Sequence, residues 1–224
     1  MRIRTLAVLG TSALLLTACG ADGNGMAELS GPEVADRAAT ALEEAGSAAV
    51  SGEYAMGGET GEVDLQVQGE DLAGTVSLGG LDVQLAAVGG QVYMQAPADF
   101  WTGSGLPEEF IGQLDGRWVL VPAEAAAGFQ ELTLQGLADE LRTPGDGEIQ
   151  QEVTEDERDG EPVVVVRNDN GGTLVVAGED EPYPLEVTNS EDEGTLTLSE
   201  FGEEQEITAP EDPLDLAELG GLGG

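Results

Sequence analysis

Between Val50 and Ala96, apolar residues recur at every second position. Val50, Gly52, Tyr54 and Met56 form one set; Val63, Leu65 and Val67 alternate with Glu62, Asp64, Gln66 and Gln68. Leu72, Gly74, Val76 and Leu78 follow, then Leu81, Val83 and Leu85, then Val92, Met94 and Ala96. A period of two sends successive side chains to opposite faces of a strand. The stretch therefore predicts five consecutive strands, each with one wet and one apolar face. Gly57-Gly58, Gly79-Gly80, Gly89-Gly90 and a short acidic turn separate them, which is the chemistry of tight hairpins. The expected unit is an antiparallel meander.

Before the meander the period is helical. Ser30 is a capping residue, Pro32 suits the first turn, and Glu33 follows Ser30 by three. Val34, Ala38, Ala41, Leu42 and Ala45 then repeat on one side, and Gly46 ends the pattern. After the meander, residues 97–115 read as a loop holding Phe100, Trp101, Phe110 and Ile111. Gly116–Pro122 reads as a strand ended by its proline, and Glu124–Phe129 and Leu134–Leu141 as short helices. Three phenylalanines and both tryptophans fall between residues 100 and 129, so residues 97–145 are expected to form a cap on the sheet. Strands return with Pro162–Arg167, the hairpin signal Asn168–Gly172, Thr173–Ala177, Tyr183–Val187 and Gly194–Leu198. Glu206–Pro210 is expected to lie extended over an edge, and residues 211–224 to form a flexible tail.

The start of the chain has another character. Arg2 and Arg4 precede an apolar run from Leu6 to Leu16, well short of the roughly 20 residues that span a bilayer. Leu16-Thr17-Ala18-Cys19 closes this export segment and contains the only cysteine. The segment resembles the lipobox of bacterial lipoproteins. That resemblance implies a diacylglyceryl group on the Cys19 thiol and cleavage between Ala18 and Cys19. Residues 1–18 are then a signal peptide, and residues 19–31, small and polar, a flexible tether. Two or three acyl chains on one residue would anchor the protein stably, whereas one binds reversibly. The expected location is the outer face of the cytoplasmic membrane.

Composition excludes several function classes. Forty-five acidic residues face seven arginines, without lysine or histidine, for a formal net charge of −38. A nucleic acid partner is excluded, because phosphates are read by basic patches. Without histidine there is no Ser-His-Asp triad, no Cys-His pair and no imidazole metal ligand. No glycine-rich loop sits between a strand and a helix, and no lysine can hold a phosphate. Glu155, Asp156, Glu157 and Asp159 are the densest acidic run, but their spacing does not match a calcium loop and reads as a solvated turn. No metal, cofactor or enzymatic activity is expected.

The order of these pieces carries a likeness: lipobox, tether, alanine-rich helix and meander, with "GGQVYM" at Gly89–Met94, "GRWVLVP" at Gly116–Pro122 and "YPLEV" at Tyr183–Val187. Over about residues 32–210 the chain resembles the actinobacterial LppX/LprAFG lipoproteins of the LolA-like superfamily. The resemblance implies a mainly β domain with α elements: a strongly curved antiparallel sheet, a half-open barrel, under a helical cap. It also implies a hydrophobic cavity for acylated glycolipids or other envelope lipids, with an export or transport membrane protein as partner.

The residues add their own argument. Alanine and valine fill little volume, so a sheet lined by them leaves room that a lipid can occupy. The expected lining is Val63, Leu65, Val76, Leu78, Val83, Leu85, Val92 and Met94, with Trp101, Phe110 and Trp118 near the cap. A solid core of the same residues is the alternative, as is a non-enzymatic binding or regulatory module without lipid cargo. The scarcity of positive charge favours neutral glycolipids or acyl chains over anionic headgroups.

Overall fold

The computed structural model describes residues 23–56, 59–102, 108–126, 129, 132–144, 147–188 and 194–216. The meander is β1 (Ser47–Met56), β2 (Glu59–Gln68), β3 (Asp71–Leu78), β4 (Leu81–Val88) and β5 (Gln91–Gln95), followed by β6 (Trp118–Leu120). The second half supplies β7 (Thr154–Arg158), β8 (Glu161–Arg167), β9 (Thr173–Ala177), β10 (Pro184–Thr188), β11 (Leu196–Ser199) and β12 (Leu214–Asp215). All belong to one sheet, in the order β12-β6-β5-β4-β3-β2-β1-β11-β10-β9-β8-β7.

This architecture corrects the expected half-open barrel. The sheet is open and mixed, neither closed nor strongly curled, and its β12–β6 pair is parallel. Two physical causes stand out. Sheets curl through bulges, yet the meander ladders from β1 to β5 run in unbroken register; a register shift is found between Pro184 and Glu186 instead. The two edges also cannot join. At one, β12 has two residues; at the other, β7 is a charged strand exposed along its whole length. Charged, short edges resist further pairing.

The register aligns the apolar face in rows. Leu198, Val50, Leu65, Gly74, Leu85, Met94, Val119 and Leu214 stand side by side from β11 to β12. One flanking row holds Ala48, Val67, Leu72, Ala87 and Val92; the other holds Gly52, Val63, Val76 and Val83. Helices cover this inner face. α1 (Gly31–Ala45) buries Val34, Ala35, Ala38, Ala39 and Leu42 completely and contacts β1, β8, β9 and β10. Its small side chains permit that close approach. Its start is held by Glu33, whose Oε2 accepts from the Ser30 N–H at 3.0 Å and from the Ser30 hydroxyl at 2.6 Å. These bonds hold the Glu33 carboxyl below its ordinary value.

α2 (Ala98–Thr102) and α3 (Glu108–Leu114) occupy the stretch expected as loop. Helices of five and seven residues complete too few turns to show a period, and packing of Trp101 and Leu114 stabilises them. α4 (Ala123–Ala126) and α5 (Leu134–Arg142) complete the layer. Of the charged turn expected over Glu155–Gly160, Glu155–Arg158 lies instead in β7, its period hidden because both faces are polar; the turn is Asp159-Gly160.

Arg142 ties α5 to α1, donating to Glu43 Oε2 at 2.6 Å and to Asp36 Oδ1 at 3.3 Å. The hydrogen bond from Arg142 holds the Glu43 carboxyl below its usual 4.5. A depressed carboxylate stabilises the fold above that usual value, and the contribution is lost as pH falls through the lowered one. Both side chains are partly solvated, which limits the magnitude. Arg142→Ala is expected to cost about 1 kcal/mol at neutral pH and low salt. Urea melts should show that deficit shrinking as pH is taken below 4.5.

Two segments beyond the sheet are docked. The Asn24 N–H donates to the Gly178 carbonyl at 2.8 Å, its side-chain amide to the Ala177 carbonyl at 2.9 Å, and Met26 is buried. The tether expected to be flexible through residue 31 is therefore packed from Asn24 onward. After β11 the chain crosses the outer face of the sheet as a strap. Gly202 N–H donates to the Ser47 carbonyl at 3.0 Å and Gln205 N–H to Gln68 Oε1 at 3.1 Å before Leu214-Asp215 pairs with β6. Leu214 and Leu216 pack on the core, inside the stretch expected to be a loose tail.

Candidate functional site

The inner apolar face is not evenly covered. In the central and first flanking rows, Leu65, Val67 and Leu72 are each 1% exposed. In the row toward the β1–β2 and β3–β4 turns, Val83 stays buried while Val63 and Val76 are half-buried. Tyr54 sits beyond them, over Gly61, with its hydroxyl donating to the Ser77 carbonyl at 3.2 Å. Partial burial pushes the phenol pKa up. Half-buried Met94, Phe100, Ile111 and Phe129 pack against the same core from β5, α2, α3 and the segment after α4. The inner apolar face is thus least covered along a strip, here called the seam, that holds Val63 and Val76 with Tyr54 beyond them.

The expected lining residues separate into groups. Leu65, Val83, Leu85, Val92 and Trp101 lie in the buried core, and Val63, Val76 and Met94 pack against it half-buried. Trp101 is fixed by its indole N–H, which donates to the Ala96 carbonyl at 3.2 Å, and by an edge-on contact with Phe100. Phe110 on α3 is half-buried outside that cluster. Trp118 faces the other way: Val119 takes the inner position on β6, so alternation turns Trp118 to the outer side, beside Gln84 and Ala86. The Leu78 side chain, and Ala18 and Cys19, lie outside the described residues.

A pocket opening into the core lies between α1, α5 and β8–β10, lined by Ala35, Leu141, Ile149, Val166, Leu174 and Val187 among others; it holds about 40 Å³. That is room for a few waters at most, against roughly 300 Å³ or more for a small-molecule site. The core is closed at this point, and an acyl chain would enter only where packing can yield. α1 and α5 are clamped by Arg142, whereas α2, α3 and α4 are four to seven residues long.

Sequence reasoning overlooked Tyr54, Ile111 and Phe129 as candidates. Tyr54 was legible through its even spacing with Val50 and Gly52; Ile111 lay in an expected loop and Phe129 at the end of the expected helix Glu124–Phe129. Among the described residues, no group of three or more histidine, cysteine, aspartate or glutamate side chains is placed to hold a metal ion. No described helix is long and apolar enough to cross a membrane.

No protein-family model matches the chain, and no curated protein matches it by sequence. Among solved structures it is similar to the crystal structure of LprF from Mycobacterium bovis, with a TM-score of 0.52 and 15% identity, over 80% of this chain and 96% of that one. At that identity the likeness is one of fold. LprF is an actinobacterial lipoprotein of the LppX/LprAFG type, the group that the sequence resembles.

Proposed function

We propose that this chain is an extracytoplasmic lipoprotein, anchored through acylated Cys19, that carries or presents an envelope lipid with its acyl chain in the inner seam. The observation that carries the reading is the fall in burial across the apolar rows, from Leu65, Val67 and Leu72 to Val63 and Val76. Each CH₂ moved from water into such a seam is worth about 0.8 kcal/mol, enough for one long chain to offset the displacement of a short helix. The fold shared with LprF supports it, as does the export segment ending at Cys19.

The docked Asn24 adds a geometric consequence. Five residue steps separate Cys19 from Asn24, a reach of about 17 Å when fully extended. An anchored chain therefore holds its β9–β10 turn, with Glu179, Asp180 and Glu181, close to the bilayer surface. With no lysine and few arginines, the acyl anchor supplies the membrane affinity.

Cys19→Ser tests the anchor and separates it from cargo. The variant is expected to leave the membrane fraction and to yield extractable lipid that cannot come from the anchor. A variant that stays membrane-bound at its normal mature mass contradicts the anchor, and a soluble variant free of lipid contradicts the cargo.

A further inference from the structure

We propose that the outer face of the sheet carries a second site, a cleft for a neutral saccharide beneath the C-terminal strap. The strap is pinned at both ends, by Gln205 on Gln68 and by the β12–β6 pair. Between these points Glu206–Glu211 arches over β3 and β4, leaving a cleft of about 470 Å³. That volume lies within the range of small-molecule sites, roughly 300–1,000 Å³. The space exists because the floor is made of small side chains, Ala73, Thr75 and Ala86.

The wall chemistry suits a sugar ring. Trp118, half-buried, supplies an aromatic surface on which the C–H face of a pyranose can lie. Thr75 and Gln84 offer hydroxyl and amide groups, and Glu206 and Glu211 carboxylate acceptors for sugar hydroxyls. Among the described residues none of these five side chains hydrogen-bonds within the protein. Nearby polar side chains outside the cleft are engaged: Gln66 donates to Glu200, and Gln95 to the Gly116 carbonyl. The cleft thus gathers uncommitted donors and acceptors around one aromatic ring. Its two carboxylates disfavour anionic sugars, which selects neutral ones. The cleft is on the opposite face from the lipid seam and does not depend on lipid carriage.

The test is a titration of the mature lipoprotein, held in a zwitterionic detergent, with glucose, galactose, mannose, N-acetylglucosamine, maltose and cellobiose. Glucuronate and arginine amide serve as charged controls. The chain has two tryptophans, and Trp101 is buried on the inner face, so a fluorescence change on binding reports Trp118. At least one neutral sugar should give a saturable change and a calorimetric signal. Calorimetry should show affinity reduced about tenfold or more in Trp118→Ala, a change of about 1.4 kcal/mol. Gln84→Ala, at an exposed position, should weaken binding with an unchanged thermal midpoint, while Val76→Trp in the seam should leave it intact. The proposal is overturned if no neutral sugar saturates. It is equally overturned if binding survives both outer-face substitutions, or if arginine amide binds while the sugars do not.

Discussion

Gly74→Ala is expected to destabilise the protein by about 3 kcal/mol, a large share of the roughly 5–15 kcal/mol that holds a domain together. Gly74 stands in the central row, between Leu65 and Leu85, with φ +154°. A Cβ there would lie 2.1 Å from the Asp64 carbonyl oxygen and 2.8 Å from the Leu65 Cα. Both are main-chain atoms of β2, so relief requires moving a strand rather than turning a side chain. Gly80 is the control: its φ is +80°, and a Cβ would meet nothing within 4 Å. Gly80→Ala should cost about 1 kcal/mol through backbone strain alone. Chemical denaturation of the pair measures the difference; equal midpoints would show that the meander yields where the geometry says it cannot.

Val76→Trp is expected to remove bound lipid while leaving the protein folded. Val76 lies at the half-buried rim of the seam, next to Val63 on β2 and Val83 on β4. An indole can extend there toward solvent and cover the seam. The same substitution at Val83, 5% exposed within the core, must overpack its neighbours and should cost about 1–3 kcal/mol. The contrast separates blocking from unfolding. Lipid lost from Val76→Trp at an unchanged thermal midpoint supports occupancy of the seam. Lipid retained at full stoichiometry in that variant places the cargo elsewhere.

Much of this architecture is written in the period of the chain. Val63, Leu65 and Val67 against Glu62, Asp64 and Gln66 could hardly be anything but a strand with one buried face. The Ser30–Glu33 pair marked the cap of α1, which begins at Gly31, one residue before the Pro32 where helical signals begin in the sequence. Sheet closure was not legible, because alternation is the same in a flat sheet and in a curled one. Closure depends on bulges and on whether the last edges can pair, and β12 is a two-residue strand formed only in three dimensions. Trp118 was assigned to the cavity because aromatic residues cluster between 100 and 129. The alternation Trp118-Val119-Leu120 sets Val119 on the opposite face from its two neighbours without saying which face is inner, and Val119, fully buried, took the inner place. Glu206–Pro210 was expected to lie extended over an edge, but the strap crosses the outer face over β3 and β4 instead. Its path is set by Gln205 reaching Gln68 and by a parallel pair with β6, neither of which leaves a period in the sequence.

The most direct test of lipid carriage is native mass spectrometry of a secreted form beginning at Gly20, which lacks Cys19, produced in a host that makes the native envelope lipids. The account predicts a protein ion with one bound lipid, released on denaturation and absent from Val76→Trp. A wild-type ion at the bare polypeptide mass, from protein whose thermal midpoint matches that of the full chain, would contradict lipid carriage and favour a binding or regulatory module without cargo.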